Sequence, residues 1–349
     1  MTSTILHYHR GRVALHAILE GLRVRPGDEV VVQAYTCAAV VEPLLRLGVT
    51  PVYADIDPDS FGPDPDAIAA AVTGRTRAVI VQHTFGVPAP VEEIDVDVPV
   101  IEDCAHVTPG LIDTSRSAAA FYSFEWGKPV VAGIGGTAVV HDAELATAMR
   151  ANHHRYTAPP SRRELMIGAE YAAYRASERA GIVHRLRALY RRLAGMGLVV
   201  GSYAPDPRAS PEYGWRMSCG TRRRLTARIT AGRAELHRRR QIADAYEIEF
   251  QRLMPGVPLR FPVLVGDKAG ALRAAAEAGV ELGDWFATPV HPLSGPDLAA
   301  AGYTAGSCPN AEWAAAHVVT LPVRSTTRPP DVGRAADLLN EFRAVDAHA

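Results

Sequence analysis

Between Gly27 and Phe124, short apolar runs with the length of strands alternate with stretches that read as helices or turns. This alternation confines the chain to a sheet whose strands are joined by crossovers. GDEVVVQAYT (Gly27 to Thr36) reads as a turn and a short strand, and EPLLRLG (Glu42 to Gly48) as a helix stopped by glycine. TPVYADID, RAVIVQH (Arg77 to His83), VPVIED (Val98 to Asp103) and SAAAFYSF supply further strands, with a helix over Asp64 to Val72 capped by Asp64 or Pro65. Upstream, Val13, Ala14, Leu15, Ala17, Ile18, Leu19 and Leu22 suit a buried helix that starts near Gly11 and ends around Gly21. Strands this apolar are covered on both faces, so a largely parallel sheet is expected. Ligands of such sheets bind beyond the carboxyl ends of the strands, where Thr36, His83, Asp103, His106 and Lys128 fall.

After Met149 the pattern changes. Ala169 to Leu198 reads as an arginine-rich helix, Gly201 to Gly214 as a glycine- and proline-rich loop, and Thr221 to Leu253 as a long helix. Strands in LRFPVLV and HVVTLPV then mix with helices over Lys268 to Ala278 and Pro330 to Phe342, as in a smaller α+β unit. The expected division is a large domain over 1–235, carrying an arginine-rich helical insertion at about 159–211, and a small domain over 236–349. From Arg150 to Arg240 there are 20 arginines against six acids, but no nucleic-acid motif accompanies them, so nucleic acid is not an expected partner. A basic amphipathic helix can lie on a membrane; packing against the body of the fold or a second subunit is the favoured reading. Cys37, Cys104, Cys219 and Cys308 have neither zinc-ligand nor disulfide spacing, so no metal is expected. The amino terminus does not read as a signal peptide and no apolar run is long enough to span a bilayer, which makes a reducing cytoplasm the default.

Only two of the 37 basic residues are lysines, so each lysine is a rare choice. Lys128 sits in SFEWGKPVVAGIGG (Ser123 to Gly136), between an aromatic stretch and a glycine-rich turn. Arginine would serve for charge alone, but its guanidinium stays protonated and cannot form a Schiff base, whereas a buried amine can. A cofactor that needs a Schiff-base lysine, a carboxylate and a phosphate cradle is pyridoxal phosphate. Asp103 can pair with the pyridine nitrogen. Ser123, the turn at Gly133, Gly135 and Gly136, and the helix start at Gly11 and Arg12 offer hydroxyl, amide and guanidinium donors to a phosphate.

These residues, in the order ED-x-AH and then SF-x-x-x-K-x4-G-x-GG, resemble the DegT/DnrJ/StrS family of sugar aminotransferases. Further likeness lies in GRVALHAILEGLRVRPGDEV, TPVYADIDPDSFGPDPDAIAAAV, VIVQHTFGVPAPVEEI, the RMS of GWRMS and CPNAEWAAAHVVTLPV. The resemblance implies an α/β fold of the aspartate-aminotransferase type (pyridoxal-phosphate fold type I), with a mainly parallel large-domain sheet and a smaller carboxyl-terminal α+β domain. It implies Lys128 as the Schiff-base lysine and general base, Asp103 at the ring nitrogen and His106 near the ring, all three catalytic. Gly11, Arg12 and Ser123 would lie at the phosphate and Cys37 at the cofactor ring. Arg216 and His291 are the candidate substrate contacts. The implied reaction moves an amino group from an amino-acid donor to a keto group on a sugar, cyclitol or other biosynthetic intermediate, in a homodimer. Alternatives are a family member with non-transaminating chemistry, whose dehydrating examples carry histidine in place of the lysine, and a catalytically silent scaffold or regulatory member.

Several positions depart from the family pattern. Ile134 replaces the glutamate of GEGG, Gly214 an asparagine that reaches the phosphate from the partner subunit, and Cys37 an aromatic over the ring. Pro129 stands where asparagine is common and Arg12 where threonine is frequent, although a GR-x-AL variant also occurs. The first motif comes close to the start of the chain, without the usual leading segment, and 159–211 is longer than in typical members. These departures imply an atypical substrate or partner.

Overall fold

The computed structural model describes residues 3–180 and 209–343. The alternating region runs β1 (Thr4–Tyr8), α1 (Gly11–Gly21), β2 (Glu29–Gln33), β3 (Thr36–Cys37), α2 (Ala38–Leu47), β4 (Thr50–Ala54), α3 (Pro65–Ala71), β5 (Thr76–Gln82), β6 (Val100–Asp103), β7 (Ala119–Ser123) and β8 (Gly136–Val140). Seven strands form one sheet in the order β1-β8-β7-β6-β5-β2-β4. β2, β4, β5, β6 and β7 are mutually parallel, while β8 runs antiparallel to both β7 and β1, so the sheet is mixed and mostly parallel.

Two strands, β1 and β8, lie outside the expected set. β8 leaves the glycine turn directly and pairs Gly136 with Ser123, so β7 and β8 flank the loop that carries Lys128. α2 begins ahead of its expected start at Glu42, because Ala38, Val40 and Val41 are themselves buried; Pro43, a residue favoured in a first turn, lies inside the helix. α3 is capped as its sequence requires: the Asp64 carboxylate accepts from the Asp66 and Ala67 amides, with Pro65 in the first turn.

Side chains alternate across each strand. On β6 and β7, Ile101, Ala119 and Phe121 pack with Val13, Ala14 and Ile18 of α1, while Ala120 and Tyr122 pack on the opposite face with Cys104, Met217 and Leu225. The same alternation assigns Asp103 and Ser123, the last residues of their strands, to the α1 face.

The remainder comprises α4 (Ala143–His153), α5 (Ser161–Arg179), α6 (Cys219–Phe250), β9 (Arg260–Leu264), α7 (Lys268–Ala278), β10 (Val290–His291), α8 (Gly295–Ala300), α9 (Pro309–His317), β11 (Val318–Pro322) and α10 (Pro329–Asn340). β9 and β11 form an antiparallel pair. α6 runs unbroken across residues 235 and 236: Leu225 packs at the large sheet, whereas Ile242, Ala243, Tyr246 and Phe250 join the core of the carboxyl-terminal part. That core also takes in Tyr35, Phe61 and Phe85 from the first half.

Many arginines of α5 and α6 are paired at helix surfaces, as Arg163 with Glu212, Arg175 with Glu178, Arg224 with Glu164 and Arg240 with Asp244. From residue 181 on, the helix expected over Ala169 to Leu198 lies outside the described residues, as does the expected loop from Gly201 through residue 208. Among the described residues no helix is long and apolar enough to cross a membrane.

Candidate active site

α1 starts against the end of β7, and the approach is so close that a Cβ on Gly11 would lie 2.9 Å from the Ser123 Cβ and 3.3 Å from the Tyr122 carbonyl oxygen. Gly136 is tighter still, since a Cβ there would meet the Arg10 carbonyl oxygen at 2.1 Å. The two glycines let the amino end of α1, the Ser123 hydroxyl and the loop after β7 converge at one sheet edge, which is the geometry of an anion cradle.

Asp103 ends β6 at 2% exposure, and its carboxylate accepts the Ala105 amide at 2.8 Å. Among the described residues no arginine or lysine forms an ion pair with it. Burial pushes its pKa up, while the Lys128 charge, the Ala105 amide and His83 pull it back. His106 is buried and its Nδ1 has no hydrogen-bond partner. Burial first, then the charges of Lys128 and Arg260, hold this imidazole well below its ordinary pKa and keep it neutral. Lys128, half-buried, therefore shares one electrostatic neighbourhood with Asp103 and His106, as the strand-end pattern requires.

Other expected residues stand differently. Arg12 is buried and its guanidinium is paired with Glu42 of α2, a partner 30 residues further along the chain. Arg10, next to it, pairs with Glu125 at 3.0 Å and Glu212 at 2.5 Å. Buried guanidinium groups need such partners because desolvating an isolated charge is costly. Cys37 and His291 are neighbours: β3 and β10 pair in parallel, Cys37 opposite His291. The His291 Nδ1 accepts the Ala287 amide at 3.2 Å. Arg216 is exposed on a segment that runs beside β1, where it bridges Tyr8.

Thr36 and His83 are engaged in structural bonding. The Thr36 hydroxyl donates to Gln82 at 2.8 Å, and His83 Nε2 lies 2.8 Å from Glu102. His83, Glu102 and Cys104 cluster closely enough to suggest a metal site. His83 Nδ1, however, accepts the Ala89 amide at 2.9 Å, so Nε2 carries the proton and donates to Glu102. A metal-binding imidazole has the opposite arrangement, donating from its second nitrogen. A separate cleft of about 250 Å³ lies between α1 and α4, where the Tyr156 hydroxyl donates to Glu20 at 3.1 Å and Arg46 stacks on Tyr213 at 4.5 Å.

Four residues that sequence reasoning passed over complete the neighbourhood. The Lys128 Nζ lies 5.7 Å from the centre of the Trp285 ring, Arg260 lies 5.0 Å from it, and His106 stacks on it at 5.7 Å with an interplanar angle of 10°. Tyr35 holds the Trp285–Phe286 peptide, its hydroxyl donating to the Trp285 carbonyl at 3.4 Å and accepting the Phe286 amide at 3.3 Å. Tyr35 does so from a left-handed backbone (φ 59°), a conformation that costs about 1–3 kcal/mol in a residue other than glycine. The available signals were the WF pair shortly before His291 and the arginine that opens RFPVL.

Against known proteins, residues 6–171 match the family model described as the DegT/DnrJ/EryC1/StrS aminotransferase family. The chain is 38% identical over 150 residues to the UDP-2-acetamido-2-deoxy-3-oxo-D-glucuronate aminotransferase of Pseudomonas aeruginosa, covering 40% of this chain and 42% of that protein. It is 35% identical over 163 residues to the L-glutamine:scyllo-inosose aminotransferase of Streptomyces griseus, covering 44% of this chain and 38% of that protein. The matches thus span about two-fifths of the length of these curated relatives. The structure of NtdA from Bacillus subtilis with bound cofactor PMP superposes with a TM-score of 0.74 at 20% identity, over 97% of this chain and 73% of that one. Residues 6–171 therefore belong to the DegT/DnrJ/EryC1/StrS aminotransferase family by that family model, and the chain shares the α/β fold of NtdA.

Proposed function

We propose that the chain is a pyridoxal-phosphate-dependent aminotransferase that carries an amino group from an amino-acid donor to a keto group on a sugar or cyclitol. The observation that carries this reading is the grouping of Lys128 with the buried Asp103 and the unpartnered Nδ1 of His106. Support for the substrate class comes from the relatives of Pseudomonas aeruginosa and Streptomyces griseus, whose names specify a sugar and a cyclitol.

The residues suit the cofactor. Pyridoxal phosphate, when bound, supplies an electron sink for the carbon that gains or loses a proton. The Lys128 amine would attach the cofactor and, once released by the donor, carry the proton at its Nζ. Asp103 would face the ring nitrogen, its negative charge favouring the protonated form of that atom. His106, kept neutral, would offer Nδ1 to a polar group of the ring. The first amides of α1 and the Ser123 hydroxyl would hold the phosphate. Arg12, with Glu42, would position the start of α1, with the option of a second contact to the phosphate. Cys37 would border the ring, opposite His291 on the substrate side.

We also read the chain as one half of a homodimer, in which the exposed Arg216 is a substrate contact and Gly214 stands where an asparagine would reach the partner's phosphate. Light scattering should return twice the chain mass; a monomer at working concentration contradicts that part. The large and small domains would meet within α6.

Mixing the protein with pyridoxal phosphate should produce a visible absorbance band that Lys128→Ala abolishes. A screen of amino donors should then discharge the band with at least one of them. A band unchanged in Lys128→Ala refutes the role of the lysine, and failure of every donor refutes transamination.

A further inference from the structure

Lys128 lies in the loop between β7 and β8, which folds into a lobe with two legs. The Phe124 amide donates to the Gly135 carbonyl at 2.9 Å, the Ala132 amide donates to the Phe124 carbonyl at 2.9 Å, and Glu125 bridges Gly133. Within the lobe the Lys128 amide turns back on the Glu125 carbonyl at 3.3 Å. Arg10 touches both legs. Its backbone bridges Gly135, and its guanidinium pairs with the Glu125 carboxylate, Nη1 to Oε1 at 3.0 Å. Both side chains are buried. Burial pushes the Glu125 pKa up, but Arg10, Arg12 and Lys128 outweigh it and keep the carboxylate ionised.

The same Arg10 precedes the first turn of α1. Its carbonyl accepts the Val13 and Ala14 amides at 3.2 and 3.1 Å, whereas its side chain makes no cap to the helix. The guanidinium is spread instead between two carboxylates: Nη1 holds Glu125 while Nε reaches Glu212 at 2.5 Å, and Glu212 also takes Arg163 of α5. One side chain thus ties the helix start that would hold the phosphate to the lobe that carries Lys128. The spacing of those two places matters because pyridoxal phosphate bears its phosphate arm and its aldehyde on neighbouring ring carbons. A ligand that must meet two fixed points at once binds tightly only where their separation fits its own.

We propose that Arg10 is a positioning residue, whose pairing with Glu125 sets the span between the start of α1 and the Lys128 loop. The inference deepens the functional reading above and rests on it for the cofactor. A guanidinium suits the task, since its planar fork holds two carboxylates in fixed directions, whereas an ammonium is a point charge on a flexible stem. The pairing also runs against simple charge logic. Glu125 stands two residues from Ser123, and a carboxylate there repels a phosphate. By charge alone, removing it tightens phosphate binding; by loss of the span, it weakens the cofactor.

Glu125→Gln separates the two effects, because it removes the pair while Arg10 keeps Glu212. Titration of the visible band in the full chain should show pyridoxal phosphate bound about 10- to 100-fold more weakly than by the unaltered protein. Pyridoxine phosphate carries the phosphate without an aldehyde and engages the start of α1 alone. By calorimetry it should bind Glu125→Gln as tightly as the unaltered chain, or more tightly. Arg10→Lys keeps the charge without the fork and should show the same split, smaller in size; it decides the matter if Glu125→Gln fails to fold. Unchanged or tighter binding of pyridoxal phosphate overturns the proposal. Equal weakening of both ligands, as a general loss of structure would give, overturns it too. No visible band in the unaltered protein defeats the functional reading and the proposal together, whereas a normal band with unchanged affinity in the variants defeats the proposal alone.

Discussion

Replacing Ile134 and Ile167 by alanine, singly and together, measures how firmly α5 is joined to the glycine turn after Lys128. Each side chain is 1% exposed, and the two form a cluster of their own, apart from the main core. Burial is complete, so each truncation costs within the range of about 2–5 kcal/mol typical of isoleucine to alanine. The pair's isolation from the larger cores puts the expected value near the low end, about 2 kcal/mol each. Because each residue is the other's apolar partner, removing the second after the first should cost about 1 kcal/mol less than removing it alone. Urea unfolding followed by far-ultraviolet circular dichroism gives the four stabilities of the cycle. Additivity within about 0.3 kcal/mol would refute the coupling. Ile134→Glu restores the residue frequent in relatives, yet here it places a carboxylate against Ile167 and should destabilise more than Ile134→Ala does.

Further outcomes follow from the site. Gly11→Ala forces α1 away from Ser123 and should cost about 1–3 kcal/mol by overpacking; it should also weaken pyridoxal-phosphate binding, read from the visible band, and unchanged affinity would detach the start of α1 from the phosphate. Arg12→Gln leaves Glu42 buried without its guanidinium and should lose about 3–5 kcal/mol, whereas the double change Arg12→Met with Glu42→Leu should recover most of it in thermal or urea unfolding. Burial raises the Glu212 pKa, but Arg10, His9 and Arg163 outweigh that and pull it from 4.5 down to about 2. Its folded-state pKa is depressed, so its stabilisation is present above pH 4.5 and is lost as the pH falls toward 2, by about 3 kcal/mol in all. In Glu212→Gln this part of the acid limb should flatten; an unchanged limb would show that the Arg10–Glu212 pair contributes nothing.

Much of the parallel sheet was legible because apolar runs with helices between them admit few other arrangements. Asp103 and Ser123 share a face through strand alternation, and Lys128 stands out because arginine so heavily outnumbers lysine. Less legible were relations across long stretches of sequence. Arg12 reads as a phosphate donor, and nothing local in either segment announces that Glu42 pairs with it. Ile134 looks like a lost acid until Ile167 of α5 packs on it. Trp285 and Arg260 come from the carboxyl-terminal part and reach Lys128 through the β3–β10 pairing and the Tyr35 hydrogen bonds, which no periodicity encodes. β1 was missed because five residues at an edge carry too little pattern to separate a strand from a coil.

Two lysines in the whole chain make one measurement decisive. Borohydride reduction of the protein with pyridoxal phosphate bound, followed by peptide mass mapping, locates the amine that carries the cofactor. Lys268 is committed to the Phe286 and Ala315 carbonyls, so the label should appear on Lys128 alone, with close to one label per chain. Label on Lys268, label shared between the two lysines, or no label at saturating cofactor would contradict the assignment of Lys128 as the reactive lysine.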